Sequence, residues 1–130
     1  MQNTPTHDAD MNNLIAQLQS NIQRALGAKL TGLYLHGSLV IGDFDPDRSD
    51  IGLLAALSSS IEDEDFAKLQ KMHTTFVRTH TAWKDRIEVC YISVADLQTV
   101  RTRTSSIVNI SPGEPLNRRD VAKHWLLHWY

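Results

Sequence analysis

Apolar residues near the start of the chain, Met11, Leu14, Ile15, Leu18, Ile22, Ala25 and Leu26, recur at the spacing of one helix face. They predict an amphipathic helix from Asp10 to Leu26, with Asp10 as N-cap and Gly27 as the left-handed residue that ends it. Residues 1–9 read as a polar leader. Beyond Gly27 the period changes. Leu30 to His36 and Ile51 to Leu57 are short, nearly unbroken apolar runs, too apolar for one-sided surface strands, so both are expected in the middle of a sheet.

Ser60 is placed to cap a second helix, whose first turn, Glu62-Asp63-Glu64-Asp65, complements the positive end of the helix dipole. Phe66, Leu69, His73, Phe76 and Val77 then fall on one face, as in a helix packed on a sheet. Arg86 to Ile92 alternates with period two and predicts a third strand, with Ile87, Val89 and Tyr91 on one face and Glu88, Cys90 and Ile92 on the other. Ser93 with Asp96 three residues on marks a short helix to about Arg101. A polar connection, residues 101–106, is followed by a short edge strand, Ile107 to Ile110, and a turn across Ser111-Pro112-Gly113-Glu114-Pro115. Asn117, with Asp120 three residues later, is expected to cap a last helix carrying Val121, His124, Trp125, His128 and Trp129 on one face. The expected class is α/β: a small mixed β-sheet with helices packed on one side.

The chain has 130 residues, which suits one domain with one core. Its formal net charge of −2 leaves no electrostatic footprint for nucleic acid. Cys90 is the only cysteine, so no intrachain disulfide forms, and a reducing, cytoplasmic setting is expected. The N-terminus lacks the basic and apolar regions of a signal peptide, and no apolar run approaches the roughly 20 residues needed to span a bilayer. No membrane association is expected.

The chemistry centres on LYLHGSLVIGDFDPDRSDIGLLAAL, residues 33–57. Gly37 allows a sharp turn after the first strand, and Ser38 offers a hydroxyl and backbone N–H groups at a helix start, a seat for anionic oxygens. Asp50 opens the next strand, where its carboxylate could hold a hard divalent ion against a nucleotide's phosphates. His36 sits beside the Gly-Ser step. Glu88 is a lone carboxylate in an apolar strand and needs either solvent at a sheet edge or a partner.

Taken together, Gly37-Ser38, the spacer with Gly42-Asp43-Phe44 and Pro46, and Ser49-Asp50-Ile51 resemble the signature of the nucleotidyltransferase superfamily that includes DNA polymerase beta. The likeness is to the N-terminal domain of the aminoglycoside adenylyltransferases. The resemblance implies Gly37 and Ser38 as nucleotide-binding residues, Asp50 and Glu88 as catalytic and magnesium-binding residues, and ATP as the substrate. AMP would pass to a hydroxyl of a small molecule. The family's second metal-binding aspartate falls at Gly52, which implies impaired transfer. His124-Trp125-Leu126-Leu127-His128 resembles the passage into the family's helical C-terminal domain, a domain expected to be missing here. A second class is therefore kept beside the enzyme: a non-catalytic interaction or antitoxin-like regulatory module.

Other constellations fall away. Asp43, Asp45 and Asp47 suggest a calcium loop, but Arg48 stands where glycine is needed and Leu54 where a bidentate Glu is needed. His124 and His128 lack the Glu of a zinc protease motif. Ser38 lacks a nucleophile elbow. Trp125, Trp129 and Tyr130 expose enough aromatic surface to predict a homodimer, or a missing helical domain or partner, on the last helix.

Overall fold

The structure, a computed structural model, describes residues 9–35, 51–84, 86–99, 105–111 and 114–121. Helix α1 spans Ala9–Leu26. It starts one residue before the expected cap, so Asp10 lies inside the first turn. Leu14, Ile15, Leu18, Ile22 and Leu26 are buried along its inner face. Gly27 adopts φ 59° and ends the helix as expected, and the Gln23 side-chain amide donates to its carbonyl at 2.9 Å.

Strand β1 is Leu30–Leu35, β2 Ile51–Leu57, β3 Ile87–Ser93, β4 Ser105–Ser111 and β5 Glu114–Val121. They form one sheet in the order β1-β2-β3-β4-β5. The β2–β3 pair is parallel and the other three are antiparallel. A parallel pair needs a crossover, and here it contains α2, Asp63–Thr79. The protein is thus α/β, with a five-stranded mixed sheet.

Helices α1 and α2 share one face of the sheet. Their inner residues cluster with Ile51, Leu53, Ala55 and Leu57 of β2 and with Ile87, Val89 and Tyr91 of β3. The expectation of helices on one side holds for α1 and α2 only: the opposite face carries Leu54, Cys90, Ile92 and Ile107, with Leu97 of the short helix α3, Val94–Thr99, packed against them. Ser93 caps α3 as expected, its hydroxyl accepting from the Asp96 N–H at 3.1 Å.

Four further expectations are corrected. First, β1 is outermost among the described strands rather than central. Leu30 and Leu33 are apolar because they pack on the core below α1, while Thr31 and Tyr34 are exposed. Second, β4 is interior, paired on both sides. Third, residues 117–121 are strand, not the start of a helix. The apolar period that suggested a helix begins only at Val121, and the preceding residues answer to β4 instead, with Leu116 buried in the core.

Fourth, the cap of α2 is Glu62, not Ser60. Glu62 and Asp65 form a reciprocal capping box, with the Glu62 N–H donating to Asp65 at 3.0 Å. The acidic first turn is spent structurally. Lys29 donates to the Asp65 carboxylate and, at 3.0 Å, to the Ser60 carbonyl. Arg118 of β5 donates to the Ile61 carbonyl at 2.7 Å and to Asp63 at 3.1 Å, with its guanidinium 5.2 Å from the centre of the Phe66 ring. These contacts tie the start of α2 to both ends of the sheet. No helix among the described residues is long and apolar enough to cross a membrane.

Candidate active site

The relation that bears most on the chemistry is the register of β2 against β3. Ile51 pairs with Ile87, Gly52 with Glu88, Leu53 with Val89, and so on to Leu57 with Ser93. The Ile51 N–H donates to the Arg86 carbonyl at 2.8 Å at the open end of the pair. Side chains alternate along a strand, and the clusters show which way. Ile87, Val89 and Tyr91 face α1 and α2, whereas Cys90 and Ile92 face the other side. Positions 52 and 88 therefore share the second face and lie side by side, one strand spacing of about 4.8 Å apart.

Glu88 is half-buried. Because β3 has neighbours on both sides, an edge-strand carboxylate standing in water does not describe it. Asp50 precedes Ile51 in the chain but, with His36, Gly37 and Ser38, lies outside the described residues. So do Asp43, Asp45 and Asp47, and His124, Trp125, His128, Trp129 and Tyr130. Among the described residues no group of three or more His, Cys, Asp or Glu side chains converges on a metal position. The donors expected for magnesium, Asp50 and Glu88, are hard carboxylate oxygens of the kind that ion prefers. The register places a glycine, with no donor, beside Glu88.

The same face holds a feature with no sequence signal. Asn109 of β4 is the register partner of Cys90 and is fully buried, and neither its amide oxygen nor its amide nitrogen has a hydrogen-bond partner among the described residues. Leaving such groups unsatisfied is costly. An Asn between Val108 and Ile110 resembles any strand position in the sequence, and only the pairing shows where it sits.

Across the sheet, His73 of α2 is buried against Tyr91 of β3, with Nε2 and the Tyr91 oxygen 2.6 Å apart and the rings edge to face at 74°. Burial pushes the His73 pKa down to about 4 and the Tyr91 hydroxyl well above its ordinary value. Nδ1 has no partner. If Tyr91 donates to Nε2, only one N–H is left unsatisfied. The reverse tautomer leaves the Tyr91 O–H and the Nδ1 lone pair both unmatched, so Tyr91 is the donor. His73 also lines a cleft of about 370 Å³ with Gln70, Trp83, Ile110 and Leu116. The helical period placed His73 on the apolar face, but its partner on β3 was not visible in the sequence.

No protein-family model matches the chain, and no curated protein matches it.

Proposed function

We propose that the chain is a nucleotidyltransferase-like domain built to transfer AMP from ATP to a hydroxyl of a small molecule, and that Gly52 leaves it impaired in this chemistry. The observation that carries the reading is the pairing of Gly52 with Glu88 on one face of adjacent parallel strands. It supports a site in which the carboxylate position two residues beyond Asp50 neighbours the acid of the next strand. The β2–α2–β3 crossover and the Gly-Ser motif ahead of β2 support it further.

In this reading Gly37 and Ser38 hold the triphosphate, and Asp50 and Glu88 hold magnesium, with Glu88 alternatively taking the proton of the acceptor hydroxyl. Magnesium, when bound, would neutralise charge on the phosphate oxygens. The acceptor oxygen bonds to the α-phosphorus as the bond to pyrophosphate breaks. Loss of one preorganised electrostatic group commonly costs on the order of a hundredfold in rate. Calorimetric titration with ATP, with and without magnesium, tests the reading. Magnesium-dependent binding that tightens in Gly52→Asp is the expected result, and a folded Gly52→Asp protein with no such gain would overturn the metal site.

The glycine beside Glu88 also favours a second reading, a non-catalytic interaction or antitoxin-like regulatory module that keeps the fold. In that case ATP at about millimolar concentration produces no heat of binding with or without magnesium.

A further inference from the structure

The two outer strands among those described are defended very differently. A strand edge presents unpaired backbone N–H and C=O groups, and soluble proteins guard such edges with charge and proline. β5, at one end, contains Glu114, Pro115, Arg118, Arg119 and Asp120 in eight residues. β1, at the other end, reads Leu-Thr-Gly-Leu-Tyr-Leu and contains no charge and no proline. It pairs with β2 along one side only among the described residues.

The neighbourhood of β1 is equally unguarded. Tyr34 is 56% exposed, the large apolar side chain that stands out among the described residues. Gly32 lies under its hydroxyl, so that a Cβ there would meet the Tyr34 oxygen at 2.6 Å. Between β1 and α1 runs a groove of about 630 Å³, walled by Leu30 to Leu33 and by Ala16, Gln19, Ser20 and Gln23. Those four lie on one helical face. Among the described residues Arg24 is the sole charge along the groove.

We infer that the chain pairs with a second copy of itself through β1. The two β1 strands run antiparallel and join the two five-stranded sheets into one, with both α1 helices on the same side. Three features favour a copy over a foreign strand. A two-fold axis pairs an uncharged strand with itself at no electrostatic cost, the groove walls carry neutral amide and hydroxyl side chains with Arg24 as their one described charge, and the guarded far edge stops the pair from growing into a fibre. This inference is independent of the nucleotidyltransferase reading.

The test is sedimentation equilibrium of the full chain across a concentration series, beside Thr31→Lys/Tyr34→Lys, which gives β1 the charges β5 already has. The wild type should be dimeric. The double variant should keep its far-ultraviolet circular dichroism and raise the dissociation constant roughly a hundredfold, through like charges brought together across the axis. Trp125→Ser/Trp129→Ser should remain dimeric. Amide exchange supplies a readout that needs no variant, since β1 amides should exchange more slowly at high protein concentration. The inference is overturned by a wild-type monomer at the highest concentration loaded, by a dimer that survives the two lysines, by a dimer abolished only by the tryptophan changes, or by β1 amides indifferent to concentration.

Discussion

His73 makes the stability of the protein depend on pH in a range where ordinary carboxylates and lysines contribute little. In the unfolded chain its imidazole takes a proton near 6.5, whereas burial holds it neutral in the fold down to about 4. The folded value is the lower one, so the unfolded state binds the proton first. The contribution is therefore fully present above pH 6.5 and is lost as pH falls toward 4. A difference of roughly two and a half units at 1.36 kcal/mol each amounts to about 3 kcal/mol. That is a large share of the 5–15 kcal/mol typical of a whole domain.

Urea denaturation at intervals from pH 7.5 to 4, comparing the wild type with His73→Phe/Tyr91→Phe, isolates the effect. Replacing both partners removes the titrating group without leaving a lone buried hydroxyl, a change expected to be near neutral at pH 7.5. The wild type should lose about 3 kcal/mol more than the double variant across the range. Asp65, whose carboxyl is held below its usual value first of all by the hydrogen bond from Lys29, titrates beneath this window in both proteins. Parallel profiles would show that His73 takes up its proton without unfolding, and the burial argument would fail.

Two smaller perturbations test the framework around the sheet. Gly27→Ala should cost about 1 kcal/mol in thermal melts, because φ is 59° and no described residue lies within 4 Å of an added Cβ, leaving backbone conformation as the penalty. Lys29→Met should cost about 1–3 kcal/mol by urea titration, since it removes charge-assisted bonds to Asp65 and Ser60. In that variant the Asp65 carboxyl should titrate higher by carbon-13 NMR, and the stability that fades as pH falls through its lowered pKa should fade earlier.

Where local chemistry decides, the sequence was readable. The period of α1, the left-handed Gly27, the face of α2 that carries Leu69, His73 and Phe76, the alternation of β3 and the Ser93 cap all depend on residues within one or two turns of one another. Where distant chain decides, it was not. β1 looked central because apolar content does not distinguish a strand covered by one helix from a strand between two neighbours. β4 looked like an edge because half of its second neighbour, β5, is Glu, Pro, Asn and Asp, residues depleted in strands. That segment is held by Leu116 in the core and Arg118 on the start of α2 instead. Of the candidate site, Glu88 was visible as an isolated acid in an apolar strand, but Asn109 and the Tyr91 partner of His73 were not, because cross-strand neighbours are a property of register.

Register also turns the core into a constraint on the site. A slip of one residue between β2 and β3 would turn one strand's inner side chains to the wrong face, so the burial of Ile51, Leu53, Ala55 and Leu57 beside Ile87, Val89 and Tyr91 fixes position 52 against Glu88. An aspartate introduced at Gly52 would stand next to Glu88 on the same face with little freedom to move away. Like charges directly across adjacent strands destabilise by about 0.2–1 kcal/mol, and more where water is partly excluded. A divalent cation between them reverses the sign, and binding to the folded state alone adds about 2.7 kcal/mol at a hundredfold excess over its dissociation constant. Gly52→Asp should therefore melt below the wild type in chelator and gain several degrees in magnesium, while the wild type changes little. The measurement needs neither turnover nor acceptor. A folded Gly52→Asp protein whose melting temperature ignores magnesium would mean that the face shared by positions 52 and 88 is not a cation site, and the transferase reading would lose its main support.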